Sequence, residues 1–325
     1  MPLLVLTNAT SHQSRSIISA IQSDPSLSKE YTIRGLTRDP SSARSQSLAT
    51  STGIELVYAD VSDSISLRTA FQDADIVFAT TITLYDGHTY DHEVEHGKAI
   101  ADAAVAMAVP YLIYSTLPSI KRLSGGVLSG AGQWDGKSVV EEYIRGLPIK
   151  AAFICPGSFM ENFHAALAPR RVPHHRTLDY DHADCGGDEG EYALTCFVSP
   201  TTKLPLIAVE SDFGKWVAAM VADFERFEYR VVCAATRMYS LQEIVDIMST
   251  VSGKRVVYNQ VGKEAWGDAL PPARRPYMLD MMQWFQDYGY FGEGTEGKVR
   301  AGREEAKVEV IELEEYLRRK PLVLR

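Results

Sequence analysis

The first seventeen residues constrain the fold of this chain more than any other stretch. Leu3-Leu4-Val5-Leu6 is a short apolar run of the kind that forms a buried parallel strand. A polar turn follows, and Ile17, Ile18 and Ile21 then recur at helical spacing. Strand, tight turn and helix in this order outline a dinucleotide-binding unit, whose turn carries glycines at its first, fourth and seventh positions. Here those positions hold Asn8, Ser11 and Ser14. Asn8 is the best substitute where a left-handed backbone is needed, and Ser14 is small enough for helix to pack on strand. Ser11 places a side chain where phosphates lie, although its hydroxyl is a donor. The helix N-terminus favours an anion there, and Arg15 on the following turn adds positive charge.

Behind this turn, strands and helices alternate. Tyr31–Leu36, Ile54–Tyr58, Asp75–Ala79, Tyr111–Tyr114 and Ile149–Ile154 read as further strands. Asp91–Ala108 and Lys137–Arg145 read as helices, closed by Pro110 and by Gly146 with Pro148. Six strands separated by helices predict a Rossmann-type, doubly wound parallel sheet over residues 1–157. Ligands in such sheets sit at the carboxyl ends of the strands, where Thr37, Asp60, Thr80 and Ser115 fall. Beyond Gly157 the alternation fades. Residues 158–325 are expected to form a smaller C-terminal lobe, with helices at Ser211–Phe224, Ser240–Val251 and Met278–Tyr290. Ser240 with Glu243 is a capping-box pair. Pro169–Gly190, rich in Arg, His, Asp and Gly, reads as a surface loop.

Charge and cysteine usage narrow the function. A net charge of −9 argues against direct nucleic-acid binding, which relies on basic patches. The four cysteines form no Cys-x-x-Cys pair, as suits a reduced compartment without a zinc knuckle. No apolar run reaches the length of a membrane span, and no secretion signal is evident. A cytoplasmic location is expected, with the nucleus as a second one.

Four constellations bear on chemistry. At the end of the second strand, Thr37-Arg38 stands where an acidic residue would bind a ribose 2′-hydroxyl, with Arg44 nearby. A guanidinium there favours NADP(H) over NAD(H). His92-Glu93-Val94-Glu95-His96 matches a zinc-peptidase pattern, but it lies mid-sheet without a third ligand, and no metal is expected. The cluster His174, His175, His182 and Cys185 reads as a polar loop. Finally, Ser115 and Lys137 stand where short-chain dehydrogenases place a carbonyl-polarising Ser and a helical Lys. The acid, a Tyr four residues before that Lys, is replaced by Gln133. An amide supplies no proton.

Val5 to Thr10, Leu36 to Pro40, Trp134 to Lys137 with Val140 to Tyr143, Pro156 to Phe163, Leu204 to Ile207 with Asp212 to Gly214, and Asp287 to Gly292 together resemble the NmrA-like proteins, atypical members of the short-chain dehydrogenase superfamily. The resemblance covers nearly the whole chain. It implies a Rossmann domain with a smaller C-terminal lobe, NAD(P) binding and loss of the dehydrogenase Tyr. It also implies that Asn8, Thr10, Ser11, His12, Gln13, Ser14, Arg38, Thr80, Thr81, Lys137, Pro156 and Phe159 line the cofactor and its cleft, with Asp60 beside them.

Three functions are compatible with these residues. The first is a redox-sensing regulator without dehydrogenase turnover, restraining a partner such as a transcription factor. The second is an NADP(H)-dependent reductase or isomerase acting on an aromatic or polyketide-like molecule. In it Lys137, with Ser115, would be catalytic, since related atypical members use a lysine, and the aromatic-rich segments Trp284–Phe291 and Phe159–Phe163 would line the pocket. The third is a cofactor-free interaction scaffold.

Overall fold

The computed structural model describes residues 1–172 and 191–324. The main sheet contains β1 (Leu3–Leu6), β2 (Thr32–Thr37), β3 (Glu55–Tyr58), β4 (Ile76–Ala79), β5 (Tyr111–Ser115) and β6 (Lys150–Pro156). Their ends fall within two residues of those expected from sequence. Beyond them come β7 (Ser158–Phe159), β8 (Arg170–Val172), β9 (Glu191–Cys196), β10 (Lys203–Ile207), β11 (Val231–Ala234), β12 (Arg237–Ser240) and β13 (Val256–Gln260). The main sheet runs β11-β6-β5-β4-β1-β2-β3, and every pairing in it is parallel. Chain order reverses between β1 and β4, and that reversal opens the crevice where ligands of such sheets bind.

The seventh strand, β11, comes from the second half and pairs with β6, with Cys233 opposite Cys155. The second half also holds two small sheets, ordered β12-β10-β7 and β13-β9-β8. They are too short for alternation to show above background in the sequence. Arg170–Val172, expected to be loop, pairs antiparallel with β9. The remainder of that loop, with His174, His175, His182 and Cys185, lies outside the described residues.

Helices cover both faces of the main sheet. The longer ones are α1 (His12–Ser23), α2 (Ala43–Thr52), α3 (Ser64–Ala70), α4 (Thr89–Ala106), α5 (Gly132–Arg145), α6 (Val209–Ala222), α7 (Leu241–Ser252), α8 (Arg275–Asp287) and α9 (Thr295–Glu305). On one face, Ile17, Ile18 and Ile21 of α1 join Phe213, Trp216 and Val217 of α6 over β1 and β4. Burying each such side chain contributes about 1.5–3 kcal/mol. The two helices touch backbone to backbone. Gly214 N donates to Ser16 Oγ at 2.9 Å, and a β-carbon at Gly214 would stand 2.1 Å from the Ser16 carbonyl oxygen. On the other face, α4 and α5 pack over β4, β5 and β6 through Ile100, Ala104, Val140 and Ile144. α7 begins as expected, with Ser240 Oγ accepting from Glu243 N at 3.0 Å. Among the described residues, no helix is long and apolar enough to cross a membrane.

Candidate dinucleotide cleft and adjoining pocket

The turn after β1 is built without glycine. Asn8 takes the left-handed conformation, with φ 49°, and its Nδ2 donates to the Thr80 carbonyl at 2.5 Å. Thr7 Oγ1 accepts from Thr80 N at 2.8 Å and donates to Thr80 O at 2.9 Å, which locks the turn to the end of β4. Ser11 has an ordinary φ of −70°, so its backbone does not require glycine. Its hydroxyl is folded onto the helix start, accepting from Ser14 N at 3.2 Å as the α1 cap. Ser14 is fully buried and donates from Oγ to the Thr7 carbonyl at 2.8 Å. Its hydroxyl therefore takes up the close packing that a glycine normally permits.

This helix start is suited to an anion. The first turn of α1 carries no acidic residue. The backbone amides of His12 and Gln13 have no partner among the described residues. Unmet donors at a helix N-terminus, added to its dipole, attract phosphate. The carboxylate of Glu210 on α6 is engaged by His12 Nδ1 at 2.6 Å and by Lys320.

Across the crevice, α5 presents Lys137. Its ammonium lies 3.0 Å from Glu93 Oε2 of α4, and the Glu93 side chain has no exposed surface. Gly136 permits this approach, because a β-carbon there would stand 2.7 Å from Glu93 Cβ. Thr81 Oγ1 bonds both Lys137 and Glu93, and Thr83 Oγ1 donates to Glu93 Oε1 at 2.6 Å. Burial pushes the Glu93 carboxyl up, but the Lys137 ammonium and the two threonine hydroxyls outweigh it and leave the group below its ordinary range. Sequence reasoning missed Glu93, because it sits inside the zinc-like pattern. The neighbouring His92 instead meets Asp86 at 2.9 Å and stacks on His96, and the described residues contain no group of three metal-binding side chains.

One turn before Lys137, Gln133 Oε1 accepts from the Tyr85 hydroxyl at 3.1 Å. Burial raises the Tyr85 pKa above its ordinary value. The Tyr85 ring packs against Tyr277, with centroids 5.5 Å apart, and the Arg274 guanidinium lies 4.8 Å from the Tyr85 centroid.

These parts surround one cavity of about 440 Å³. Of the expected residues, Asn8, Ser11, His12, Gln13, Thr80, Thr81, Ser115, Lys137, Pro156 and Phe159 line it. Thr10, Ser14, Arg38 and Asp60 do not. The Thr10 carbonyl accepts from Arg44 Nη2 at 2.7 Å, which ties the turn to α2. Asp60 at the end of β3 is held below its ordinary pKa by Ser62, with Arg38 contributing across the gap. Arg38 itself is exposed at the end of β2. The far wall of the cavity is apolar, with Met278, Met281, Met282 and Phe285 of α8 beside Tyr290 and Phe159. Of the aromatic segments expected to line a pocket, Phe159, Phe285 and Tyr290 do so. Phe163 is buried in the core, and Trp284 donates to the Tyr290 carbonyl at 3.0 Å.

A second cavity of about 520 Å³ lies between α5, β11 and α9. Although larger, it excludes the α1 turn and Lys137. Its carboxylates Glu141, Glu142 and Glu305 are already paired with Arg145, Arg122 and Arg230. The smaller cavity is therefore the candidate site.

Comparison with known proteins agrees with this geometry. The model of the NmrA-like family matches residues 2–317. The NmrA-like family domain-containing oxidoreductase ptmS of Penicillium ochrochloron is 28% identical over 272 residues, covering 80% of this chain and 76% of that protein. NmrA, described as a negative transcriptional regulator, superposes in its NADP complex with a TM-score of 0.77 at 20% identity, over 99% of this chain and 95% of that one. The same protein in complex with NAD gives 0.76 at 19% identity, with the same coverage. An NADPH-dependent quinone oxidoreductase of Escherichia coli, complexed with NADPH, gives 0.70 at 18% identity over 97% and 98%. The structural likenesses support the fold, and the family match over almost the whole length settles membership: this chain belongs to the NmrA-like family.

Proposed function

We propose that the chain binds a nicotinamide dinucleotide across α1 and β4 and acts as an NADP(H)-dependent reductase on an aromatic small molecule. The observation that carries this reading is continuity: the anion-suited turn and the Met- and aromatic-lined wall belong to one cavity. The residues present fit the cofactor. Asn8 supplies the turn, Ser11 has withdrawn its hydroxyl to the helix cap, and the His12 and Gln13 amides await acceptors. Arg38 would face a 2′-phosphate, with Asp60 partly offsetting its charge. When bound, the dinucleotide supplies a hydride. Lys137, held by Glu93 and Thr81, would orient hydroxyls of the bound molecule rather than exchange protons. Tyr85 and Ser115 offer hydroxyls at the reacting end.

A regulatory role without turnover is the second reading, and the sequence alone puts it first. It is favoured by the fold shared with NmrA and by Gln133 at the place of the usual acid. In that role the dinucleotide would shift the C-terminal lobe between states that differ in affinity for a transcription factor or other partner. Calorimetric titration with NADPH, NADP, NADH and NAD, followed by NADPH oxidation over a panel of aryl ketones and quinones, separates the two. Binding with turnover supports the reductase, and binding without turnover supports the regulator. No binding at millimolar concentration sinks both and leaves the scaffold.

A further inference from the structure

The wall of the cavity does not share the charge of the chain. The protein carries a net charge of −9, yet among the described residues no aspartate or glutamate lines the cavity, while His12, Lys137 and Arg274 do. Two of these three already have carboxylate partners, His12 in Glu210 and Lys137 in Glu93. Arg274 is the lining cation without a carboxylate partner among the described residues. Its neighbour Arg275 pairs with Asp268 at 2.8 Å and does not line the cavity.

Arg274 is exposed at the rim of the cavity, on a backbone that is held in place. It follows Pro271 and Pro272 in a short 3-10 turn and precedes Pro276 at the start of α8, so the backbone that carries it is stiff. Its guanidinium lies against the Tyr85 ring, an arrangement that leaves the edge N–H groups of the fork free. Beyond it run Met278, Met281 and Phe285, an apolar surface that accepts a flat ring system. A fork-shaped donor beside an apolar slot matches an aromatic compound with a carboxylate.

We propose that Arg274 anchors the carboxylate of an aromatic substrate whose rings lie along α8, making it a specificity-determining residue of the pocket. The inference rests on the cavity being a substrate pocket and names the chemistry of what enters it. The hydroxyl of Tyr85, two-point tethered by Gln133 and its own ring contacts, then faces the substrate beyond the anchored end.

The test is calorimetric titration of the full chain with 2-naphthoate and with 2-naphthylmethanol, which has the same rings and no charge. The wild-type chain is expected to bind 2-naphthoate about tenfold more tightly, the scale of one charge-assisted bidentate contact. Arg274→Gln should reduce that preference to about twofold or less, and Arg274→Lys should keep part of it, as a point charge without the fork does. Arg275→Gln should keep all of it. Unchanged circular dichroism and melting temperature establish that each variant is folded. Equal affinity for the two probes in the wild-type chain, failure of both to bind, or a preference that survives Arg274→Gln overturns the proposal. So does an Arg274→Gln variant that loses NADPH binding and keeps the naphthoate preference. NADPH is titrated separately. A chain that prefers 2-naphthoate but does not bind NADPH sinks the reductase reading and leaves this one standing.

Discussion

Lys137 Nζ and Glu93 Oε2 lie 3.0 Å apart at the foot of the cleft, with both side chains almost wholly shielded from water. Breaking such a pair by removing one partner leaves a buried charge uncompensated. Glu93→Gln is therefore expected to destabilise the fold by about 3 kcal/mol or more, read from urea unfolding. The same pair sets an acid dependence. The folded pKa of Glu93 lies below the ordinary 4.5, so its contribution is complete above that value and is lost as pH falls through the lowered one. Stability measured below pH 4.5 should fall more steeply in the wild-type chain than in Glu93→Gln. Parallel curves would show that the pair carries no such linkage.

Asn8 sits at φ 49° and also bonds the Thr80 carbonyl. Asn8→Ala loses both the tolerance for that backbone and the bond, and should cost about 2 kcal/mol. Asn8→Gly loses the bond alone and should cost about half as much. Ser11→Gly gives up a cap for only a few tenths of a kcal/mol, about the measured penalty at such positions. It also clears the approach to the helix start, so stabilisation by saturating NADPH should rise. Thermal shifts with and without NADPH read all three variants, and a Ser11→Gly chain stabilised less than the parent would contradict the assigned geometry.

The Rossmann order was legible because Leu4, Val5, Ile76, Val77, Leu112 and Ile113 form apolar runs too short for helices, each followed by a polar strand end. Asn8 in the left-handed region was legible too, since few other residues take that conformation. Val231–Ala234 was not, because it lies beyond Gly157, where the alternation of strands and helices that marks the other six strands has faded. Nor was the methionine face of α8. Met278, Met281 and Met282 recur at the spacing of any buried helix, and only the fold reveals that they face a cavity rather than core. Glu93 is the most instructive miss. Its partner lies on another helix, and no local pattern records a meeting that depends on how α4 crosses α5.

The position of α1 depends on α6, and Gly214 is the contact point. A methyl group there would stand 2.1 Å from the Ser16 carbonyl oxygen and 2.7 Å from Ile17 N. Backbone cannot yield as a flexible side chain would. Gly214→Ala should therefore cost about 3 kcal/mol or more, at the upper end of overpacking penalties. The α1 start would also be displaced, so NADPH affinity should fall even in the fraction that remains folded. A Gly214→Ala chain that melts like the parent would mean that the two helices separate more easily than their packing implies.

Tyr85 provides the decisive test of turnover. Its hydroxyl reaches Gln133 Oε1 at 3.1 Å, the side chain that replaces the usual acid. Burial is the largest influence on this phenol and raises its pKa above 10, so it is protonated throughout the physiological range. A protonated phenol can still pass its proton to the far more basic alkoxide oxygen that carbonyl reduction creates, and it then regains a proton from water. Tyr85→Phe should lower kcat by about a hundredfold or more while leaving KM and NADPH affinity nearly unchanged. The wild-type rate should show no alkaline limb assignable to this group below pH 10, because a raised pKa keeps the donor form present as pH climbs to that value. A kcat unaffected by Tyr85→Phe would assign proton donation to another hydroxyl. Ser115, buried at the end of β5 and facing the same cavity, would be the next to substitute.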